Sequence, residues 1–103
     1  MVVFATPLYY WNMSGQIRIA IDRLFALEEG DGNLLRGHGR ASVLLMAAEG
    51  HGFEDVLVYY DHLMEHLRWK NLGHVLAGGN MNVGDIQDKP ELRQAYELGK
   101  SIR

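Results

Sequence analysis

The feature that most constrains this sequence is a repeated order of three apolar runs, each followed by an amphipathic segment. The runs lack the alternation of a half-exposed strand, so each is typical of a strand buried on both faces. The segments after them repeat apolar residues at the period of a helix. The sequence therefore predicts strand, helix, strand, helix, strand, helix: an α/β fold with a parallel sheet and helices on its faces.

The limits of these elements can be placed along the chain. Strands are predicted at 2–6, 41–47 and 72–77, and helices at 14–27, at 53–70 and from a start marked by Asp88, with Pro90 in the first turn. The Ser14 hydroxyl is expected to cap the first helix. The packing sides are expected to consist of Met13, Ile17, Ala20, Ile21, Leu24 and Phe25 in the first helix, and Leu92, Ala95, Tyr96, Leu98 and Gly99 in the last.

Composition excludes several classes of function. With 103 residues, 48 % hydrophobic and 22 % charged, the chain fits one soluble globular domain. A net charge of -3 gives no reason to expect nucleic acid or a membrane surface as partner. The absence of cysteine excludes disulfides and cluster ligation by this chain. Since no leader pattern or membrane span is visible, we expect a cytoplasmic protein.

A cluster of aromatic residues follows the first apolar run. Ligands of open parallel sheets bind at the carboxyl ends of the strands, so a flat apolar ligand would suit this position. The alternative is that the aromatic side chains fill the interior or a dimer interface. The candidate residues are Thr6, Pro7, Leu8, Tyr9, Tyr10, Trp11 and Asn12.

The string TPLYYWNMSGQIRIAIDRLF carries a resemblance to a known family. It is similar to the third strand, flavin-ring loop and third helix of flavodoxin-like NAD(P)H-dependent FMN reductases, a group that includes multimeric quinone reductases and iron-sulfur flavoproteins. Two later strings, AAEGHGFED and GGNMNVGDIQDKPELRQAYELGKSI, resemble the second flavin loop and the C-terminal part of the same family. The residues of the first string that carry the pattern are Pro7, Tyr9, Ser14, Gln16, Arg18, Asp22 and Arg23.

The resemblance implies a function and a cofactor. The chain would be an FMN-dependent NAD(P)H oxidoreductase of the flavin or quinone reductase type, with a small molecule as electron acceptor. Residues 6–12 would line the isoalloxazine ring, and Glu49, Gly50 and His51 would approach its other edge. No side chain need act as acid or base, because the redox chemistry belongs to the cofactor. The alternative is a truncated, non-catalytic remnant that acts only in assembly.

Relative to this family the chain is expected to be a single partial domain, 1–103, that begins inside the third strand. On the order of 60 residues, two βα units of ~30 each, would then be absent, and with them the phosphate-binding turn. The first strand would become an edge with unpaired backbone groups. We therefore expect a homo-oligomer formed through this strand or through the helices, or a fragment of a longer product.

A short metal-binding pattern, H-x-x-E-H, occurs at His62 to His66. It places two histidines one turn apart on a helix, as in some zinc hydrolases. The pattern is short and lies beside the apolar stripe of the predicted helix. We favour a solvated or subunit-facing pair over a zinc site, and assign no metal.

Overall fold

Six elements alternate along the part of the chain that the structure describes, residues 1–102 of a computed structural model. They follow the predicted order of strand and helix. No helix among these residues combines the length and apolar character that crossing a bilayer requires. The elements are β1 (Val2–Pro7), α1 (Gly15–Glu29), β2 (Ala41–Ala47), α2 (Glu54–Leu67), β3 (Lys70–Ala77) and α3 (Pro90–Ser101).

The three strands form one parallel sheet in the order β1-β2-β3. β1 pairs with β2 in continuous register from Val2 opposite Ser42 to Pro7 opposite Ala47. The pairing of β2 with β3 is interrupted by a register shift between Ser42 and Leu44. Because all three strands run in the same direction, the loops that follow them leave one edge of the sheet.

The hydrophobic core lies between one face of this sheet and the helices α1 and α2. At its centre the fully buried Tyr60 of α2 donates a hydrogen bond of 3.0 Å to the buried Ser42 hydroxyl, and its ring meets Phe4 edge-on. This face of the sheet is therefore covered by helices, as is usual for parallel sheets. The buried residues of the cluster are Phe4, Met13, Ile21, Leu35, Leu44, Met46, Phe53, Val56, Tyr60, Met64, Leu67 and Trp69.

The opposite face of the sheet is covered only in part. α3 packs there along β3, and none of its residues is buried. Next to it, the side chains of Val3, Ala5 and Pro7 on β1 are exposed. Half of this face therefore has no cover among the described residues.

The limits of α2 and β3 differ from the prediction, which continued the helix to residue 70 and began the strand at 72. α2 ends at Leu67, and Arg68 takes the left-handed conformation with φ 55°. The buried Trp69 follows, and its indole N–H donates to the Leu35 carbonyl oxygen over 2.9 Å. This hydrogen bond fixes Trp69 at the end of α2, and β3 begins at the next residue, Lys70. A contact between residues so far apart in the sequence could not be predicted from helical periodicity.

The start of α3 was also predicted incorrectly. Lys89, not Asp88, is the N-cap residue, and no side chain among residues 1–102 caps the helix. Pro90 is the first helical residue, as the sequence predicted. For α1 the prediction is confirmed, because the Ser14 hydroxyl accepts a hydrogen bond from the Ile17 N–H.

Parts of the two predicted packing sides are exposed. In α1, Phe25 is 60 % exposed and Ala20 also faces solvent. In α3, Leu92 and Tyr96 are 46 % and 62 % exposed. Of the residues predicted to pack, Met13 and Ile21 are buried in the first set, whereas none of the α3 set is buried. The periodicity could not tell how much of each helix the sheet covers.

Candidate functional site

Three loops meet at the carboxyl edge of the sheet. The first loop, residues 8–13, follows β1; the second loop, 48–53, follows β2; and the third loop, 78–89, follows β3. The Leu8 N–H donates to Ala47 O, and the Ala48 N–H donates to Ala77 O. The sheet ladder therefore continues into the loops and fixes their starting points relative to one another.

Both ends of the first loop are attached to the body of the protein. The buried Thr6 hydroxyl accepts a 2.9 Å hydrogen bond from the Ser14 N–H, so the end of β1 is joined to the start of α1. Met13, at the end of the loop, is buried in the core. Because Thr6 and Ser14 are hydrogen-bonded to each other, the segment between them must reverse its direction within a few residues, and this requires a tight turn.

That turn is formed by Tyr9 to Asn12. The Tyr9 N–H donates to Asn12 O over 2.9 Å, and the Asn12 N–H donates to Tyr9 O over 3.1 Å. Tyr10 and Trp11, the two central residues, have φ angles of 47° and 63°. Positive φ at both centres is the geometry of a type I′ turn, for which Asn and Gly are the usual residues.

The turn exposes its aromatic side chains. Tyr9, Tyr10 and Trp11 are 61 %, 92 % and 61 % exposed, and the rings of the last two lie 6.4 Å apart. Bulky residues at positive φ cost on the order of 1–3 kcal/mol each, and such strain concentrates at functional sites. Exposed aromatic rings on a strained backbone indicate a surface for a ligand.

The second loop lies directly beside this turn. A Cβ atom placed on Gly52 would be 3.5 Å from Cδ1 and Nε1 of Trp11, so the indole packs against the Gly52 backbone. Among residues 1–102, the backbone N–H groups of Tyr10, Trp11 and residues 49–52 donate to no protein acceptor. An exposed aromatic surface therefore borders a row of free hydrogen-bond donors.

The third loop packs against the second loop. The Gly79 N–H donates to Glu49 O over 2.9 Å, and a Cβ atom on Gly78 would lie 2.6 Å from Gly50 O and would also collide with the His51 ring. Only glycine allows this approach at residue 78. The position of His51 therefore depends on the backbone of the third loop.

Asn80 and Lys89 fix the third loop in place. The Asn80 side-chain amide donates to Ala77 O over 2.7 Å and to Ala48 O over 3.3 Å, which joins the ends of β3 and β2. The Lys89 ammonium group donates to Gly78 O over 2.5 Å. The carboxyl edge is thus held by side-chain to backbone hydrogen bonds as well as by the sheet.

The residues singled out from the sequence divide into two groups in the structure. Thr6 is buried and Leu8 packs partly against the core, while Asn12 accepts a hydrogen bond from the Met13 N–H at its own Oδ1. These three shape the loop. The residues exposed at the edge are Pro7, Tyr9, Tyr10, Trp11, Glu49, Gly50 and His51.

Four residues of this edge were not singled out as site residues: Gly52, Gly78, Asn80 and Lys89. The first three had a usable signal, because glycines and Asn directly after an apolar strand in a parallel sheet lie at the carboxyl edge. The contact of Lys89 depends on how α3 packs, and no local pattern encodes it. The positive φ angles of Tyr10 and Trp11 also had no signal, since aromatic residues are uncommon at such positions.

The H-x-x-E-H pattern lies elsewhere, on the exposed surface of α2. His66 Nε2 lies 2.7 Å from Glu28 Oε1, and the Arg36 Nε–H donates to His66 O over 2.9 Å. His62 is exposed. Within residues 1–102, no three His, Cys, Asp or Glu side chains are grouped closely enough to hold a metal ion. His66 instead links α2 to α1.

Two comparisons with known proteins identify similar chains, and no protein-family model matches. The chain is 29 % identical over 101 residues to an iron-sulfur flavoprotein of Archaeoglobus fulgidus; the match covers 98 % of this chain and 44 % of the flavoprotein. The structure superposes on that of Trp repressor binding protein from Bacillus subtilis with a TM-score of 0.64 at 17 % identity, over 96 % of this chain and 60 % of that one. The chain thus spans less than half the length of the flavoprotein.

The fold is flavodoxin-like. In flavodoxin the strands lie in the order 2-1-3-4-5, where 3, 4 and 5 are the three consecutive strands that neighbour one another. The observed order β1-β2-β3 matches these three. The fold predicted from the sequence is confirmed.

Proposed function

We propose that this chain is a flavin-binding redox domain of the NAD(P)H-dependent flavin or quinone reductase type, with the isoalloxazine ring of FMN between the first and second loops. One observation carries the proposal: the strained, exposed turn at Tyr10 and Trp11 lies against a loop whose backbone N–H groups at 49–52 have no acceptor among residues 1–102. The similarity to a protein named iron-sulfur flavoprotein supports it.

The chemistry of these groups fits a flavin. An isoalloxazine ring has aromatic faces and one polar edge of carbonyl oxygens and ring nitrogens. The rings of Tyr10 and Trp11 provide surface for offset stacking. The free amides at 49–52 are donors suited to the polar edge, and Gly50 and Gly52 have no side chain to prevent close approach.

The chain's own residues would bind and orient the cofactor. When bound, FMN would supply the redox chemistry of a reductase, which is hydride transfer from NAD(P)H and electron delivery to a small acceptor such as a quinone. The backbone N–H groups of the second loop would hold the polar edge of the ring, and the aromatic turn would cover one of its faces. The His51 ring packs closely against the Gly78 backbone and would lie on the β3 side of the flavin.

The main test is quenching of FMN fluorescence by the purified chain. We expect saturable quenching, and we expect Trp11→Ala to weaken the affinity about tenfold through loss of stacking. Tyr96→Ala is the matched control, because Tyr96 is as exposed as Trp11 but lies on α3. Absence of quenching by a wild-type chain that melts cooperatively would contradict the proposal, and so would equal effects of the two substitutions.

A second measurement compares FMN with riboflavin, which has the same ring but no phosphate. The residues proposed as contacts all address the ring, so the two affinities should agree within about threefold. A bound phosphate would contribute charged hydrogen bonds of about 1.5–3 kcal/mol, or tenfold and more in favour of FMN. Such a preference would show that the phosphate has a site of its own on this chain.

Hydride transfer requires a separate assay. We expect NADH or NADPH to bleach the visible absorption of the flavin complex under anaerobic conditions. We also expect the colour to return when a quinone is added. A flavin complex that neither nucleotide reduces would limit the proposal to flavin binding.

A further inference from the structure

One peptide group of the third loop is hydrogen-bonded at both of its ends. Its carbonyl oxygen, that of Gly78, accepts a 2.5 Å hydrogen bond from the Lys89 ammonium group. Its N–H group, that of Gly79, donates to Glu49 O over 2.9 Å. Because a peptide group is planar, its oxygen and its N–H point in opposite directions and turn together. Lys89 and the second loop therefore bind the two ends of one rigid unit.

The backbone on either side of this peptide group does little to fix its orientation. Both flanking residues are glycines, and Gly79 has a φ angle of 72°, in the left-handed region. Glycine adopts positive and negative φ about equally readily, so a peptide group between two glycines can rotate with little backbone strain. Rotation would turn the Gly79 N–H away from Glu49 O. The orientation must therefore be fixed by the hydrogen bonds of the peptide group.

Lys89 reaches the peptide group from a fixed starting point. It is the N-cap residue of α3, with a φ of -89° and a ψ of 145°, and its own N–H donates to Ile86 O over 3.1 Å. Pro90, the next residue, restricts Lys89 to this extended conformation. The side chain is thus held by the start of the helix at one end and by Gly78 O at the other.

The charge of the ammonium group is directed at this one carbonyl. Lys89 is half-buried and forms no ion pair among residues 1–102, whereas the exposed Lys100 lies 3.9 Å from Glu97 Oε2. A hydrogen bond from a charged donor is stronger than a neutral one. It also polarises the peptide group, which makes the N–H at the opposite end a stronger donor. The charge of Lys89 therefore strengthens the bond from Gly79 to Glu49.

Asn80 provides a second, weaker bond to the same carbonyl. Its side-chain amide lies 3.3 Å from Gly78 O. The same amide also donates to Ala77 O and Ala48 O, so its position does not depend on Gly78. Because this donor is neutral and distant, the charged bond from Lys89 has the larger share in fixing the peptide group.

We propose that Lys89 is a positioning residue for the flavin site. Its ammonium group holds the peptide group between Gly78 and Gly79 in the orientation that binds Glu49 O, and so sets the direction of the backbone N–H groups at 49–52. The inference rests on the function proposed above, in which these N–H groups bind the polar edge of the ring. Lys89 needs no contact with the ring, because it acts through the second loop.

The absence of cysteine from the chain allows two side chains that differ only in charge to be compared at residue 89. Lys89→Cys is alkylated in urea and then refolded. Alkylation with 2-bromoethylamine restores an ammonium group, and alkylation with 1-iodopropane gives an uncharged side chain of the same length. Lys89→Met provides the uncharged comparison without alkylation. Lys100→Cys, treated in the same two ways, is the matched control, because Lys100 contacts only Glu97 and the Tyr96 ring on the surface of α3.

Amide exchange, followed by NMR without flavin, reports on the peptide group directly. We expect the Gly79 N–H to exchange about tenfold faster in the propyl form of Lys89→Cys than in the aminoethyl form, with shifted N–H signals at 49–52. We expect FMN quenching to show an affinity about tenfold weaker in the propyl form, and near the wild-type value in the aminoethyl form. The two forms of Lys100→Cys should agree within about twofold in both measurements.

The two measurements separate failure of this proposal from failure of the proposed function. Equal exchange at Gly79 in the two forms of Lys89→Cys would overturn the positioning role, whether or not FMN binds. Faster exchange with equal FMN affinities would show that Lys89 serves only the stability of the loop, and would also overturn it. Absence of quenching by every form, the wild type included, would overturn the proposed function and with it the role of Lys89 towards a flavin.

Discussion

Tyr10 and Trp11 occupy backbone conformations that suit Asn and Gly far better. Their φ angles are positive, and both side chains are largely exposed. Neither ring contributes to the core cluster, so stability alone gives no reason to keep aromatic residues there. A strained backbone conformation whose side chain is not buried in the core is expected where that side chain binds a ligand.

Replacing Tyr10 with Asn and Trp11 with Gly should therefore stabilise the fold and weaken flavin binding. We expect the free energy of unfolding to rise by about 1–3 kcal/mol, because both residues then match a type I′ turn. Urea unfolding measures the gain, and FMN quenching measures the loss. Tyr96→Asn, on α3, should change neither by a comparable amount. A double variant that is less stable than the wild type would show that the aromatic rings support the fold.

Gly78 is the residue most sensitive to an added methyl group. In Gly78→Ala the new Cβ would collide with Gly50 O and the His51 ring, and the second loop would have to move. We expect a loss of about 1–3 kcal/mol in unfolding free energy. Gly15→Ala is the control, since a Cβ there meets nothing within 4 Å and lies in a helix, where alanine is favoured. Equal melting temperatures for the two variants would contradict the close approach of the loops.

At the scale of elements, a buried hydrogen bond between Tyr60 and Ser42 joins α2 to β2. Burial raises the pKa of Tyr60 above its ordinary value of 10.0, and the hydrogen bond to Ser42 opposes part of that rise. Above pH 10 the unfolded tyrosine loses its proton while the folded one keeps it. Unfolding then releases a proton, so stability falls as the pH rises.

Tyr60→Phe should remove this alkaline loss while lowering stability at neutral pH. We expect about 1–3 kcal/mol of destabilisation at pH 7, because the buried Ser42 hydroxyl loses its partner. Between pH 9 and 11 the urea midpoint of the variant should fall less steeply than that of the wild type. Tyr59, whose pKa burial also raises, is present in both proteins and does not affect the difference. Parallel pH profiles would contradict the assignment.

The order and type of all six elements followed from the sequence because long apolar runs and helical periodicity are local signals. The predicted helix limits and packing sides were wrong where tertiary contacts determine them. α2 ends before the predicted limit, where the buried Trp69 donates a hydrogen bond to the Leu35 carbonyl oxygen, and Phe25 on the predicted packing side of α1 is exposed. The meeting of the first and second loops was predictable from parallel topology, whereas the strained φ angles and the Lys89 contact were not.

At the scale of the whole molecule, the helices α1 and α2 carry several exposed apolar side chains. Ile19 and Phe25 are each 60 % exposed and Val58 is 57 % exposed, and Arg18 lies over the Tyr59 ring at 5.9 Å between the two helices. Exposed apolar side chains on neighbouring helices are typical of subunit interfaces. We propose that copies of the chain associate through this surface.

Phe25→Glu tests this proposal. We expect sedimentation equilibrium to show association of the wild type at micromolar concentration and a shift of about tenfold or more towards monomer in the variant, because a carboxylate would enter an apolar contact. Val3→Glu, on the β1 edge, is the control and should leave this association unchanged. A wild-type chain that is monomeric at high concentration would contradict the proposal.

The hydrogen bond between the Ser14 N–H and the Thr6 hydroxyl closes the first loop at its base, independently of what the loop contains. We therefore expect the turn at residues 9–12 to be replaceable while the rest of the fold is kept. Sequences of equal length that keep Thr6, Ser14 and the buried Met13 should be accepted without loss of the sheet, so evolution or design could alter ligand preference here while the scaffold persists.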